Sequence, residues 1–353
     1  MSGKTGKERF RPMSTGVMHP DIARLIGRRL VLVMGKGGTG KTTVSLALAF
    51  AAEKAGKRVL LVETEEGTAI GQVFGKTQTE ENPVPVTELI SIARVRPKAE
   101  MTAYTQFHIK SGFIAKRITG SRLFDYLATA TPGLKEIMTL GRLWRWEAAR
   151  QPDGVPVYDI IIVDAPATGH VLNLLRLPKT LISMIRVGPI VSQVKQLDVL
   201  LKDDRKTALA LVSLPEELPM RESLEFMGTA RDETGIPVQA FFLNAVYPDI
   251  FSSPNPEIPY DELFSGAPGR LCGPVSRCAA LDAVLGAARH HYARRKIHEK
   301  YLDAIRQGAT CPVVEIPFFF TNHMSVREIR QIADQWAAPG ARPEGVPEGD
   351  CDA

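Results

Sequence analysis

One stretch of this chain combines the residue types and the spacing of a phosphate-binding loop. It reads Gly-Lys-Gly-Gly-Thr-Gly-Lys-Thr-Thr, and it stands between an apolar run and a helical pattern. Glycines allow backbone N–H groups to converge on an anion, and a helix that starts there adds the partial positive charge of its N-terminus. The predicted nucleotide-binding residues of this loop are Gly35, Lys36, Gly37, Gly38, Thr39, Gly40, Lys41, Thr42 and Thr43.

Three of these residues carry the chemistry expected of such a loop. Lys41 occupies the position of the lysine that contacts the β- and γ-phosphates, and Thr42 that of the hydroxyl that binds Mg²⁺. The loop alone therefore predicts a nucleotide and Mg²⁺. A simple phosphate loop needs no cation directly after its first glycine, so Lys36 suggests a charge that acts on a nucleotide bound to another subunit.

Carboxylates follow two other predicted strands. Asp164 ends the β-branched run 157–163, where an aspartate can orient Mg²⁺, usually through water, or can merely cap the next turn. The acidic run 63–66 ends a second strand, predicted over 58–63. Because ligands bind at the carboxyl edge of parallel sheets, a carboxylate in this run could orient or deprotonate the attacking water. A solvated acidic loop is the alternative explanation.

The alternation of apolar strands with helical patterns predicts an α/β fold, a P-loop nucleoside triphosphatase with a mostly parallel sheet flanked by helices. Helical patterns near 100–150 and 171–205 exceed what simple crossovers need, and they predict an inserted α-helical subdomain. The basic segment 1–27 and the acidic tail 339–353 are predicted to be disordered. Residues 28–338 would then form the nucleotide-binding domain.

The composition narrows the class of protein. A chain of 353 residues, 44% hydrophobic and 24% charged, can bury a sizeable core. The net charge of +5 is mild and its cations are scattered, so we predict no nucleic-acid partner. Its 4 cysteines are too irregularly spaced for a disulfide framework. Without a signal-peptide pattern or a run of about 18 apolar residues, we expect a cytoplasmic protein that does not insert directly into a membrane.

Taken together, the motifs resemble those of the ArsA family, the arsenical pump-driving ATPases and the ATPases that target tail-anchored proteins. The loop with its second lysine is similar to that family's deviant Walker A loop, and Asp164–His170 resembles its switch II. Asn244, after the predicted strand 238–243, is similar to the asparagine that reads adenine in the family. The resemblance spans residues 28–336 and implies ATP as the nucleotide, Mg²⁺ bound by Thr42 and Asp164, and a dimer.

The acidic run 63–66 departs from the family pattern. Where the family usually has Ser-Thr-Asp-Pro-Ala, this chain has Glu-Thr-Glu-Glu-Gly, so Glu65 takes the place of the catalytic aspartate. A misplacement of about 1 Å in a catalytic group can cost on the order of 100-fold in rate, so hydrolysis is either slow or served by a rebuilt loop. The resemblance thus implies a catalytic set of Lys36, Lys41 and Glu65. The family's Cys-x-x-Cys zinc clip and its metalloid-binding cysteines have no counterparts, which argues against arsenite as substrate.

Three functions follow from these residues. The first is a dimeric ATPase switch of the ArsA type, a homodimer or a heterodimer with a related ATPase, which couples ATP hydrolysis to the capture or transport of a client or to a membrane-protein partner. The second is a positioning ATPase of the MinD or ParA kind. The third is a nucleotide-gated subunit of a heterodimer with weak hydrolysis, which Glu65 favours.

Overall fold

The computed structural model of the chain describes residues 18–64, 69–76, 81–108, 133–184, 189–250, 279–321 and 323–337, together with residues 117, 119, 121 and 124.

The described strands form one twisted sheet. They are β1 (Leu30–Gly35), β2 (Val59–Glu63), β3 (Val84–Pro85), β4 (Ile90–Arg94), β5 (Ile160–Ala167), β6 (Thr207–Ser213), β7 (Val238–Val246) and β8 (Val313–Pro317). Their order in the sheet is β3-β4-β2-β5-β1-β6-β7-β8, and only the β3–β4 pair is antiparallel. Since β1 lies between β5 and β6, its carboxyl end is a point where the order of strands reverses, the usual place for a ligand in an open parallel sheet.

Helices cover both faces of this sheet. They are α1 (Pro20–Ile26), α2 (Lys41–Lys54), α3 (Ala69–Val73), α4 (Pro97–His108), α5 (Leu134–Ala148), α6 (Thr168–Met184), α7 (Pro189–Lys202), α8 (Glu217–Thr234), α9 (Ala279–Gly308) and α10 (Val326–Ala337). The predicted α/β class with a mostly parallel sheet is therefore confirmed.

The pleat of β1 explains why there are two cores. Leu30, Leu32 and Met34 point to one face, where they join apolar side chains of α5 to α9. Val31 and Val33 point to the other face and pack with residues of α1, α2 and α10. Because successive side chains of a strand alternate between faces, a strand buried on both sides reads as a continuous apolar run. The central strands are thus fixed in place from above and below.

The structure corrects the predicted boundaries in three places. Residues 76–87, which prolines predict as a loop, contain the short edge strand β3, and β4 follows without a predicted strand. The strand predicted over 157–163 is instead Ile160–Ala167, and it extends past Asp164 because β1 continues to pair with it there. The segment predicted to be disordered as far as residue 27 contains α1, whose Ile22, Leu25 and Ile26 are buried.

The helices of the predicted subdomain rest on the sheet. Helix α4 packs on α5, and α6 packs on both α5 and α7. Leu143 of α5 and Leu200 of α7 belong to the same core as the strands. Most of residues 109–132 lie outside the described part of the chain, as do residues 1–17, 251–278 and 338–353. A separate helical subdomain and a disordered tail therefore stay predictions.

A buried histidine attaches the long helix α9 to the end of β7. His298 is 5% exposed, and its Nδ1 accepts a hydrogen bond of 3.0 Å from the backbone N–H of Tyr247. Burial, and the nearby guanidinium groups of Arg294 and Arg295, lower the pKa of His298 to about 4. The imidazole is therefore neutral in the folded protein at neutral pH.

This histidine makes the stability of the fold sensitive to acid. Its pKa in the folded chain lies below the ordinary value of 6.5, so the unfolded chain takes up the proton first. The contribution of neutral His298 is complete above pH 6.5 and is lost as the pH falls towards 4, by up to about 3 kcal/mol in the free energy of unfolding. Urea titrations at pH 7, 6 and 5 should show this loss. His298→Asn, which keeps an acceptor, should flatten it, whereas His290→Asn on an exposed part of α9 should not.

Candidate nucleotide-binding and hydrolysis site

A cavity opens where the loop after β1 meets the carboxyl ends of β2 and β5. Its volume is about 360 Å³. It is lined by residues of the loop, of β2 and the start of α3, and of β5: Gly37, Gly38, Gly40, Lys41, Thr42, Glu63, Thr64, Ala69, Asp164 and Ala165. The edge of the sheet predicted from the sequence is thus where the structure has a cavity.

The backbone of the loop requires glycine at particular positions. Gly38 and Gly40 have φ values of +83° and +91°, in the left-handed region that side chains with a Cβ rarely adopt. At Gly35, a Cβ would lie only 2.2 Å from the carbonyl oxygen of Val212 on the neighbouring strand β6. The loop can therefore turn tightly and remain close to the sheet only because these side chains are absent.

Polar contacts inside the loop hold its shape. The Thr39 hydroxyl donates to the carbonyl oxygen of Lys36 at 2.9 Å, and the Lys41 ammonium donates to the same oxygen at 3.3 Å. Lys41 is also the first residue of α2, so its charge and the N-terminus of that helix lie together at the cavity. Thr43 follows in α2 and is not among the described residues that line the cavity.

The predicted metal ligands lie side by side. The Thr42 hydroxyl donates to Oδ2 of Asp164 at 2.7 Å, and the Ser45 hydroxyl lies 3.5 Å from Oδ1 of the same carboxylate. Hydroxyl and carboxylate oxygens are donors that suit Mg²⁺, which is usually held by one or two protein groups plus phosphate and water. Within the described residues, no group of three or more His, Cys, Asp or Glu side chains could hold a metal. The donor set fits a Mg²⁺ ion that is shared with a nucleotide.

Glu63 has a structural role, which the sequence alone did not distinguish from that of the other residues in the acidic run 63–66. It is 4% exposed, and its carboxylate accepts the backbone N–H of Ile70 at 2.8 Å and Nη2 of Arg94 at 3.3 Å. The hydroxyl of the next residue, Thr64, donates to the carbonyl oxygen of Asp164 at 2.8 Å. Glu63 is therefore an anchor between β2, β4 and α3. The signal that could have identified it is its position inside the buried strand, whereas Glu65 lies outside the described residues.

Lys36 is not among the described residues that line the cavity beside its own loop. Its Nζ lies 2.8 Å from Oε1 of Glu222 on α8, and 41% of its side-chain surface is exposed. The backbone of Lys36 supports the loop while its ammonium lies at the surface.

Asn244 is brought to the loop from the end of β7. Its Nδ2 donates to the carbonyl oxygen of Thr39 at 2.9 Å, and it packs so closely on Gly40 that a Cβ there would lie 2.1 Å from Nδ2. The structure thus joins Asn244 to the loop across 205 residues of sequence. That Asn244 reads adenine stays a prediction.

Comparisons with known proteins point to the same chemistry. Residues 28–188 match the model of a family described as anion-transporting ATPases. The chain is 27% identical to ATPase BagA of Mycobacterium tuberculosis over 338 residues, which cover 91% of this chain and 96% of that protein. It is 30% identical to a putative arsenical pump-driving ATPase of Chlorobaculum tepidum over 156 residues, or 43% of this chain and 36% of that protein. It is also 30% identical to ATPase ASNA1 homolog 1 of Paramecium tetraurelia over 149 residues, or 42% and 43%.

None of the described helices is both long enough and apolar enough to cross a lipid bilayer.

Proposed function

Residues 28–188 belong to the ArsA family of anion-transporting ATPases, and from this we propose that the whole chain is an ATP-hydrolysing switch that works as a dimer. Its partner would be a second copy or a related ATPase. ATP would close the two subunits on each other, and hydrolysis would let them open. This cycle would drive the capture or transport of a client, which can be a protein or a membrane-embedded pump partner.

One observation carries the proposal. Lys41, Thr42 and Asp164, which come from the loop and from β5, line a single cavity, with the Thr42 hydroxyl 2.7 Å from the Asp164 carboxylate. A cation and a helix N-terminus for phosphates, next to oxygen donors for a metal, are the groups that phosphoryl transfer to water requires. A glycine-rich turn with only a structural role would not need this combination.

The residues of the site divide the work of hydrolysis among them. The N–H groups of the loop and the Lys41 ammonium would bind and orient the β- and γ-phosphates of ATP. Thr42 and Asp164 would hold Mg²⁺, directly or through water, and the ion would supply positive charge to the phosphate oxygens in the transition state. Glu63 would hold the segment between β2 and α3 at both of its ends, since its carboxylate ties β2 to α3. Glu65 would aim the attacking water.

A second candidate function rests on Glu65. With glutamate where the family usually has aspartate, the carboxylate that aims the water has one more methylene. If the surrounding loop has not adjusted to it, the chain would bind ATP and change its association without much hydrolysis. It would then be a nucleotide-gated subunit of a heterodimer.

One pair of measurements separates the two candidates. For the ATPase switch we expect the purified chain to release phosphate from ATP only with Mg²⁺, and its mass to double when ATP is added. We expect Glu65→Asp to lower this turnover, because in a loop adjusted to glutamate the shorter side chain would not reach the attacking water. Turnover that is absent in the wild-type chain but appears in Glu65→Asp would support the nucleotide-gated subunit instead, and a chain that does not bind ATP would contradict both.

A further inference from the structure

The surface ion pair between Lys36 and Glu222 joins the loop to a helix that is remote in sequence. Lys36 follows β1, whereas Glu222 lies in the second turn of α8, which follows β6. The two side chains meet, at 2.8 Å between Nζ and Oε1, because β6 is the hydrogen-bonded neighbour of β1 in the sheet. Both are partly open to solvent, with 41% and 40% of their side-chain surface exposed. The pair is thus within one subunit and at its surface.

The side chain of Lys36 can change position while its backbone stays in place. Its carbonyl oxygen accepts hydrogen bonds from the Thr39 hydroxyl and from the Lys41 ammonium, so its backbone is held in the loop. The backbone that carries Glu222 is held in α8, because its neighbours Met220 and Ser223 are buried and the Ser223 hydroxyl donates to the Pro219 carbonyl. A long flexible ammonium therefore faces a carboxylate on a rigid helix.

We propose that Glu222 is a positioning residue that holds Lys36 in its own subunit until a nucleotide in a second subunit draws it away. This rests on the proposed dimeric ATPase and on the expectation from the sequence that Lys36 acts on a nucleotide bound to the other subunit. The γ-phosphate of ATP carries more negative charge than one carboxylate, so it can displace Glu222 as the partner of the ammonium. The ion pair then opposes closure in the absence of ATP and is exchanged for a stronger one in its presence.

The size of the effect follows from the exposure of the pair. Exposed ion pairs typically contribute between 0 and about 1 kcal/mol, which corresponds to at most about a fivefold change in an equilibrium. Removing the charge of Glu222 should therefore strengthen ATP-dependent association about two- to fivefold per subunit. The difference should shrink as salt screens the pair.

Glu222→Gln tests this with a control on the same helix. Glu225 pairs with Arg221 at 3.4 Å, and both side chains are exposed, so Glu225→Gln makes the same chemical change without touching the loop. The first measurement is the rate of reductive methylation of Lys36 in the nucleotide-free chain, followed by mass spectrometry. The second is the ATP-dependent association of the subunits by analytical ultracentrifugation at low and high salt, with turnover measured in parallel.

We expect Glu222→Gln to raise the methylation rate of Lys36 and to strengthen association at low salt, while Glu225→Gln changes neither. Combined with Lys36→Ala, Glu222→Gln should have no further effect on association. Equal methylation of Lys36 in both variants would show that the pair does not hold the lysine, and weaker association of Glu222→Gln would show that Glu222 helps closure; either result overturns the inference. If instead Lys36→Ala alone keeps full turnover, the cross-dimer role fails, and the proposed function is what must be revised.

Discussion

Lys36→Ala is expected to lower the rate of ATP hydrolysis about a thousandfold or more while leaving the affinity for ATP within about threefold of wild type, since a cation supplied in trans is worth 10³ to 10⁵ in rate. The structure explains why the rate should fall while the affinity for ATP is kept. The Lys36 backbone builds the loop, but its ammonium lies 2.8 Å from Glu222, and Lys36 is not among the described residues that line the cavity. Phosphate release gives the turnover, and titration with a fluorescent ATP analogue gives the affinity.

A mixing experiment tests whether Lys36 of one subunit serves the site of the other. In a dimer of one Lys36→Ala subunit and one Asp164→Asn subunit, the first has an intact pocket and receives Lys36 from the second. Roughly a quarter of the wild-type rate should return in an equal mixture, because half of the dimers are mixed and each of these has one complete site. Lys57→Ala, beyond the far end of α2, is the control and should behave as wild type. Full turnover by Lys36→Ala alone would exclude the role in trans.

Asp164→Asn is expected to lower turnover about 100- to 1000-fold and to raise the concentration of Mg²⁺ needed for half-maximal rate, by loss of a charge that holds the metal at the transferred phosphate. Asparagine retains an oxygen that can accept the Thr42 hydroxyl, now 2.7 Å from Oδ2, so the local structure should persist. The measurement is turnover across a titration of Mg²⁺, with the unfolding temperature as a check on the fold.

The matched control lies at the other end of the same strand. Asp159 directly precedes β5 and pairs with Arg58, far from the cavity. Asp159→Asn removes one carboxylate from the same segment. It should lower the free energy of unfolding by about 1 kcal/mol or less and leave the Mg²⁺ concentration for half-maximal rate unchanged. An equal loss of turnover in both variants, or none in Asp164→Asn at any Mg²⁺ concentration, would contradict a metal-binding role for Asp164.

Much of the fold was predictable because the central strands are buried on both faces. A strand covered by helices above and below needs apolar residues at nearly every position, so β1, β2 and most of β5 and β6 appear as continuous runs. The strands at one edge of the sheet, β3 and β4, were harder to predict. Strand β3 has only two residues, and β4 contains Ser91 and Arg94, so neither forms a continuous apolar run. Helix α1 was missed because its 7 residues give only about two turns of helical periodicity.

The sequence by itself determined the phosphate loop, since its glycines, its lysines and the helix after it are adjacent along the chain and act through local backbone geometry. It also determined that Asp164 would reach the same edge, because parallel strands end on one side. Only the tertiary structure decided which distant residues meet there: Glu222 with Lys36, Asn244 with Thr39, and Arg94 with Glu63. These pairs depend on the order of strands in the sheet. That order follows from how all the helices and strands pack together, and no local spacing of residues specifies it.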